Sequence, residues 1–491
     1  MNVEEEYVRL IFGLKLKQIR TENNLSLFGL SKLTGLSKSY LNEIEKGKKF
    51  PKTDKIVLLA KHLEVPYDQM VSLKLDKNLA PLGEILRSNI LKEIPLELFG
   101  IQESNLIDII SNAPAKVNAF ISTLIEIAKN YNLSRESFFL AALRSYQEAN
   151  DNYFEDIEQQ VTKFAKAYQL DLTKNIKVEE LEEVLTEEYG YTIVRDALSP
   201  YKELKEIRSV YIPKQKKLLL SNQISDSQIA FIYSKELAYN YLNIADRLNT
   251  FSWIKFESFD QVHNNFIASY FAGALLIPKT RIIESIHSIF DQKKWNGAHF
   301  IETMESFGQS PEMFFHRLTN ILPKFFNLKN LFFLRFTNKK ESKAYYLSKE
   351  LHITQQQAPH ANEVHEHYCR RWSSIDILDK FDSDSKIQTE IQISEYPETQ
   401  QQYLVISTVS PDPFKSNYNR SINIGLLLSN QLKNKVTFLE DKTIAQREVG
   451  ITCERCAIEN CNERVKPATV IEKRNKNKMI EAAIEKIMKE N

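Results

Sequence analysis

The sequence predicts a mainly α protein with α+β architecture in its middle and C-terminal parts. Three observations carry this. Only 12 of the 491 residues are glycine, which favours helices over glycine-rich turns and barrels. From residue 8 to about 188, apolar residues recur at helical spacing with short breaks. From residue 191, short apolar runs separated by turn residues begin to alternate with helices, as expected where sheets pack on helices. A hydrophobic content of 43%, a charged content of 26%, and 28 Phe with 21 Tyr can furnish two to four ordinary globular cores.

Residues 8–72 read as five helices. Phe12 to Glu22 forms an amphipathic first helix with Leu16 and Ile19 inside. Ser26 caps a second through Leu27, Leu30 and Leu33, and Thr34-Gly35-Leu36 breaks it. Ser37 caps a third, Lys38 to Glu45, which Gly47 ends, with Lys46, Lys48 and Lys49 beside its C-terminus and Pro51 beyond. Thr53 opens a fourth with Ile56, Leu59, Ala60 and Leu63. From Val8 to Val65 there are 12 Lys/Arg against 5 Asp/Glu, although the whole chain carries only +1. Such a local excess is the footprint of phosphate contacts.

The run from Leu36 to Pro51 resembles the core motif of the lambda-repressor (XRE-type) helix-turn-helix family. In that geometry the third helix lies in the major groove of double-stranded DNA. Ser37, Lys38, Ser39 and Asn42 would then face base edges, Tyr40 a sugar or a thymine methyl, and Lys46 and Lys48 phosphates. A helical bundle that merely packs, or that offers this face to another protein, is the competing reading. Heads of this type read palindromic half-sites as dimers, so a homodimer is expected. Residues 76–188, with stripes Leu124, Ile127, Tyr131 and Phe138, Ala142, Leu143, Tyr146, form a helical linker that could supply the contact.

Residues 189–295 bring strands at 191–194, 209–212 and 217–220, a turn at Pro213-Lys214-Gln215-Lys216, then helices over 226–245 and 260–288. The first of these helices stands where a zinc peptidase would carry two histidines four residues apart with a glutamate between. Here those positions are Lys235 and Tyr239, and only Glu236 remains. The stretch Asn265 to Pro278 resembles the segment that supplies the acidic third ligand in ImmA/IrrE-type metallopeptidases, but the aligned residue is Ile267. Lys, Tyr and Ile cannot hold zinc, so no catalytic residue is assigned. Glu236 is then either a leftover in a helical core or part of a pocket kept to sense a ligand.

Residues 296–470 read as an α+β sensor domain, with strands at 331–336, 403–407 and 422–426 and a loop at 354–364; a basic helical tail, 471–491, follows. Cys453, Cys456 and Cys461 form C-x2-C-x4-C, one thiolate short of a closed tetrahedral site, and the fourth cysteine is Cys369, beside His365 and His367. A structural zinc, a redox-sensing or iron–sulfur group, and plain packed thiols are all open.

The order of segments, with Ser310 to Asn320, Tyr368-Cys369-Arg370-Arg371-Trp372 and Gly450 to Arg464, resembles the short-chain fatty acyl-CoA regulators of bacteria. The resemblance implies a dimeric transcription regulator with a degenerate zincin-like α+β domain and a small-molecule effector, an acyl-CoA. Arg370 and Arg371 beside Trp372 are then candidate ligand-binding residues. The chain is expected to be cytoplasmic and not an enzyme. It lacks a basic-then-apolar leader and any apolar run of membrane-spanning length, and four cysteines do not make a disulfide framework. The rival readings are a metal-dependent peptidase that cleaves a partner repressor, and a protein-interaction hub.

Overall fold

A computed structural model describes residues 3–72, 135–250, 256, 258–353, 366–381 and 386–490. The chain divides into two compact units, Met1–Ala142 and Leu143–Asn491. The first holds helices α1 (Val3–Glu22), α2 (Leu27–Thr34), α3 (Lys38–Glu45), α4 (Thr53–His62) and α5 (Tyr67–Val71). Phe12, Leu16, Leu30, Leu41, Ile44 and Leu59 fill its core. Helix α1 begins at Val3 rather than at Phe12, because nothing between them breaks a helix. The linker stripe Leu124, Ile127, Tyr131 and the side chain of Phe138 lie outside the described residues, as does the loop at 354–364.

Two contacts fix α1 against the end of α3. A Cβ on Gly13 would sit 2.3 Å from the Ile44 carbonyl oxygen and 2.9 Å from that of Glu45, so only bare backbone fits. One turn pair further along, Arg20 donates from Nε to Glu45 Oε1 at 2.6 Å and from Nη2 to Oε2 at 2.9 Å, and its Nη1 reaches the Leu25 carbonyl at 2.8 Å. The Lys15 ammonium donates to the carbonyls of Gln69 and Ser72, satisfying backbone acceptors at the end of α5.

The second unit takes in the end of α6 (Arg135–Ala149), then α7 (Glu155–Ala167), α8 (Val178–Glu183), β1 (Thr192–Val194), β2 (Ser209–Ile212), β3 (Lys217–Leu220) and α9 (Asp226–Tyr241). There follow α10 (Phe259–Leu276), α11 (Lys279–Phe290), α12 (Gly297–Glu305), α13 (Pro311–Phe325), β4 (Leu331–Lys339) and β5 (Tyr345–Ile353). The remainder is α14 (Ser373–Lys380), β6 (Gln388–Tyr396), β7 (Gln401–Pro411), β8 (Tyr418–Leu427), a short α15 (Asn430–Lys433), β9 (Ala445–Glu448) and α16 (Thr469–Glu490). The single helix expected over 260–288 is two helices meeting at 66°. Pro278 has no N–H and disfavours helical geometry at Ile277, which is extended at φ −127° and ψ 81°.

Strands β1 to β3 form a small sheet in the order β1-β3-β2, with β1 parallel and β2 antiparallel to β3. A core led by Phe154, Phe164, Leu218, Tyr233 and Phe271 packs it with α7 to α10. The six-stranded sheet runs β5-β4-β8-β7-β6-β9, antiparallel except where β6 meets β9. One face, with Phe333, Ile422 and Ile424, packs on α11, α12 and α13. The other, with Phe332, Leu334 and Phe336, is covered by α14 and by Cys369, Trp372 and Val449. Among the described residues no single helix is long and apolar enough to cross a membrane.

Candidate functional site

Helix α3 is built from both ends. Ser37 has extended backbone, and its hydroxyl accepts from the Tyr40 N–H at 3.2 Å, satisfying one of the orphan donors of the first turn. Leu41 and Ile44 anchor the helix in the core. Upstream, Gly35 adopts the left-handed conformation at φ 70°, and Gly47 does so downstream at φ 67°. The outer face is thereby defined. Ser37, Lys38, Ser39, Asn42, Lys46 and Lys48 are exposed, and Tyr40 is half-buried against the core. Lys49, equally exposed, is paired with Glu43 at 2.8 Å. A polar helix face with donors and acceptors at i and i+4, ending in lysines, suits base edges followed by phosphates.

The surroundings of Glu236 are filled by protein groups. The Arg247 guanidinium grips both Glu236 oxygens, at 2.5 and 2.6 Å. Tyr191 donates to the same carboxylate at 2.9 Å and accepts from Asn240 Nδ2 at 2.8 Å. Arg247 also lies 4.1 Å over the Tyr239 ring and 4.3 Å over that of Tyr211. Lys235, where the sequence reading looked for a metal ligand, donates to Asn265 Oδ1 at 2.7 Å, and burial pulls its ammonium down to about 8. A carboxylate clamped by a guanidinium and a phenol is a poor general base. Tyr191, Arg247 and Asn265 carry this arrangement, and none was singled out from the sequence.

The cysteines converge in part. Residues 367–369 run antiparallel to 451–453, through Cys369 N–H to Ile451 O at 3.1 Å, Cys453 N–H to His367 O at 2.8 Å and a Tyr368–Thr452 bridge. Cys369, Cys453 and Cys456 are buried and Cys461 half-buried, all as free thiols. Arg464 staples the knuckle by donating to the carbonyls of Cys453, Cys456 and Ile458. Burial pushes the Cys369 thiol up to about 11, with Cys456 and Cys453 adding to the rise. Among the described residues no three His, Cys, Asp or Glu side chains are already arranged around a metal position. His367 is held by Glu454, its Nδ1 2.8 Å from Oε1, and His365 lies outside the described residues.

Arg370 lies 4.1 Å over the Tyr345 ring and donates to the Lys343 carbonyl at 2.9 Å. Arg371 donates to the Glu448 carbonyl at 3.1 Å. Both tie loops to the sheet.

A solved structure of a Mycobacterium tuberculosis transcriptional regulator is similar at 18% identity and a TM-score of 0.46, over 66% of this chain and 92% of that one. No curated protein matches. Residues 16–70 match the helix-turn-helix family, the segment in which α3 presents its capped polar face, and the chain therefore carries a helix-turn-helix domain of the DNA-binding type.

Proposed function

We propose that the protein is a homodimeric, non-enzymatic transcription regulator. Its helix-turn-helix reads a double-stranded DNA operator, and its second unit binds a small-molecule effector, a short-chain acyl-CoA by the resemblance drawn from the sequence. The observation that carries the DNA-binding reading is the exposed polar face of α3, framed by Ser37 and by the lysines at its end. Clamping of Glu236 by Arg247 favours a regulator over a peptidase. An effector that prefers one conformation of the second unit would shift the population of DNA-competent dimers.

The test starts from a duplex selected out of a random library by the full-length protein. Lys38→Ala and Asn42→Ala each weaken binding to that duplex by about 1–3 kcal/mol and relax its sequence preference, whereas Lys46→Ala weakens all duplexes alike and lowers the salt slope by about 1. Gel shifts in which the Lys38 and Asn42 variants keep both affinity and preference would remove α3 as the reading helix.

Cys369, Cys453, Cys456 and Cys461 are proposed as the ligands of one structural zinc ion. The pairing of 367–369 with 451–453 brings the fourth thiol beside the C-x2-C knuckle, and four soft sulfur donors suit zinc. Bound zinc would cross-link the two segments and stiffen the knuckle. Elemental analysis of protein purified without chelator is expected to find one zinc per chain, lost on Cys453→Ser; metal-free wild type would sink the assignment.

A further inference from the structure

Helix α16 starts docked and continues in the open. The Val470 N–H donates to the Glu454 carbonyl at 3.1 Å, and Arg474 donates to Glu398 at 3.4 Å. Its first turns are thereby tied to the cysteine knuckle and to the turn between β6 and β7. From Glu472 to Lys489 every residue is exposed. That would be ordinary for a helix that is polar all round. This one carries Met479, Ile480, Ile484, Ile487 and Met488, each between 49% and 77% exposed. They are five of the fifteen large apolar side chains exposed among the described residues, gathered within ten positions. Apolar surface concentrated in this way marks a contact rather than a solvated face.

The spacing of these residues points to the kind of contact. Ile480, Ile484 and Ile487 follow one another at four and three residues, the d, a and d positions of a heptad repeat. The a position before Ile484 is Asn477. Isoleucine at a and d alone favours three or more strands, whereas a single asparagine at a fixes the register and the number of strands. Two such amides can hydrogen-bond to each other across a two-stranded seam. In the same register Lys476 holds position g and Glu481 the following e. Where two identical helices run parallel, g of one lies beside the next e of the other, so Lys476 and Glu481 meet as opposite charges twice by symmetry. The next such pair is Ala483 with Met488, which widens the apolar seam.

Charge also argues against other occupants. Between Met479 and Lys489, Glu481 and Glu485 stand against Lys486 and Lys489. The stretch that carries the apolar side chains is therefore balanced, whereas an anionic lipid surface or a DNA backbone calls for a basic face.

We propose that Asn477 to Met488 of α16 pair with the same segment of a second copy of this chain, as a parallel, in-register, two-stranded coiled coil. This rests on the reading of the protein as a homodimer, and it assigns the contact to α16 rather than to residues 76–188.

Sedimentation equilibrium of the full-length protein without DNA, over a series of concentrations, tests the coil. Wild type is expected to be a dimer. Ile480→Gln/Ile484→Gln should raise the dimer dissociation constant by about 30-fold or more. Glutamine is at least as good a helix former as isoleucine, so that loss does not come from melting the helix, and the urea midpoint of the second unit stays where it was. Lys478→Gln/Glu485→Gln, on the outer face, leaves the constant unchanged. Lys476→Glu weakens the dimer about 3- to 10-fold, and Lys476→Glu/Glu481→Lys restores it. A wild-type dimer that the isoleucine pair leaves intact overturns the coil and keeps the homodimer reading, with its contact elsewhere. A charge swap that fails to restore the dimer, or a wild-type species larger than a dimer, overturns the parallel two-stranded arrangement. Wild type that stays monomeric at every concentration overturns the coil and the homodimer reading together.

Discussion

Replacing Arg317 by leucine should cost the second unit about 3–5 kcal/mol of stability, the usual penalty for breaking a buried ion pair from one side. Arg317 and Glu158 are both buried, joined at 2.6 and 3.0 Å. The same guanidinium donates to the Ile277 carbonyl at 3.0 Å, and Tyr270 donates to Glu158 at 2.9 Å. One node thereby ties α7, the end of α10 and α13 together. Leucine would leave a carboxylate in the core with a single phenol for company. Trp295 and Trp372 pack against cores of the second unit, so tryptophan fluorescence in a urea titration reports on that unit. Because the loss is mostly the stranded charge, the Glu158→Met/Arg317→Leu double variant should recover a large part of it. An unchanged urea midpoint for Arg317→Leu would contradict the role given to this pair.

Gly13→Ala should be almost as damaging to the first unit. The added methyl would meet the Ile44 carbonyl oxygen at 2.3 Å, and that oxygen belongs to backbone that cannot swing aside. Either α1 lifts from α3 or the end of α3 unwinds, and each route pulls on the Arg20–Glu45 pair. A loss of about 3 kcal/mol is expected, at the upper end for overpacking, with a more than tenfold weaker gel shift on the selected duplex. Gly29 supplies the control. It sits inside α2, and its nearest neighbour to a new methyl is Ser26 Oγ at an ordinary 3.4 Å. Gly29→Ala should therefore be neutral or gain up to about 1 kcal/mol from helix propensity. Equal thermal stability of the two alanine variants would refute the close approach at Gly13.

Much of the architecture was legible because it rests on local chemistry. The caps Ser26 and Ser37 and the left-handed Gly35 and Gly47 mark helix ends within a few residues of themselves. Strands Ser209–Ile212 and Lys217–Leu220 fall where their short apolar runs and the intervening Pro213 put them. Strands β5 and β6 were not anticipated. Their sequences, Tyr345 to Ile353 and Gln388 to Tyr396, mix Lys, Glu, Gln and Ser into the alternation. Some of those polar residues are buried for reasons that only the sheet supplies. Gln392, for example, donates to the Arg371 carbonyl and to Ser394.

The sites divide in the same way. Absence of the two histidines is a local fact, and it was readable. That Arg247 takes hold of Glu236 depends on a turn after α9. Contacts between residues far apart in sequence leave no period or spacing behind them. Arg335 illustrates the ambiguity, since a lone cation inside Leu331 to Phe336 reads equally as an edge residue or as a buried partner.

The order of the large sheet also bears on how the chain is made. Strand β4 lies between β5 and β8, and β8 begins at Tyr418, about 80 residues after β4 ends at Lys339. At the usual pace of synthesis, about 5–20 residues per second, that is roughly 4–16 s during which one edge of an apolar strand has no partner. Five of its first six residues are Leu or Phe, the composition from which nascent chains aggregate. Arg335 interrupts that run, and a charge at such a point discourages strand-to-strand association between chains. Arg335, which donates to Glu312 at 2.8 Å in the folded protein, is thus expected to serve as a gatekeeper before its partner strand is made.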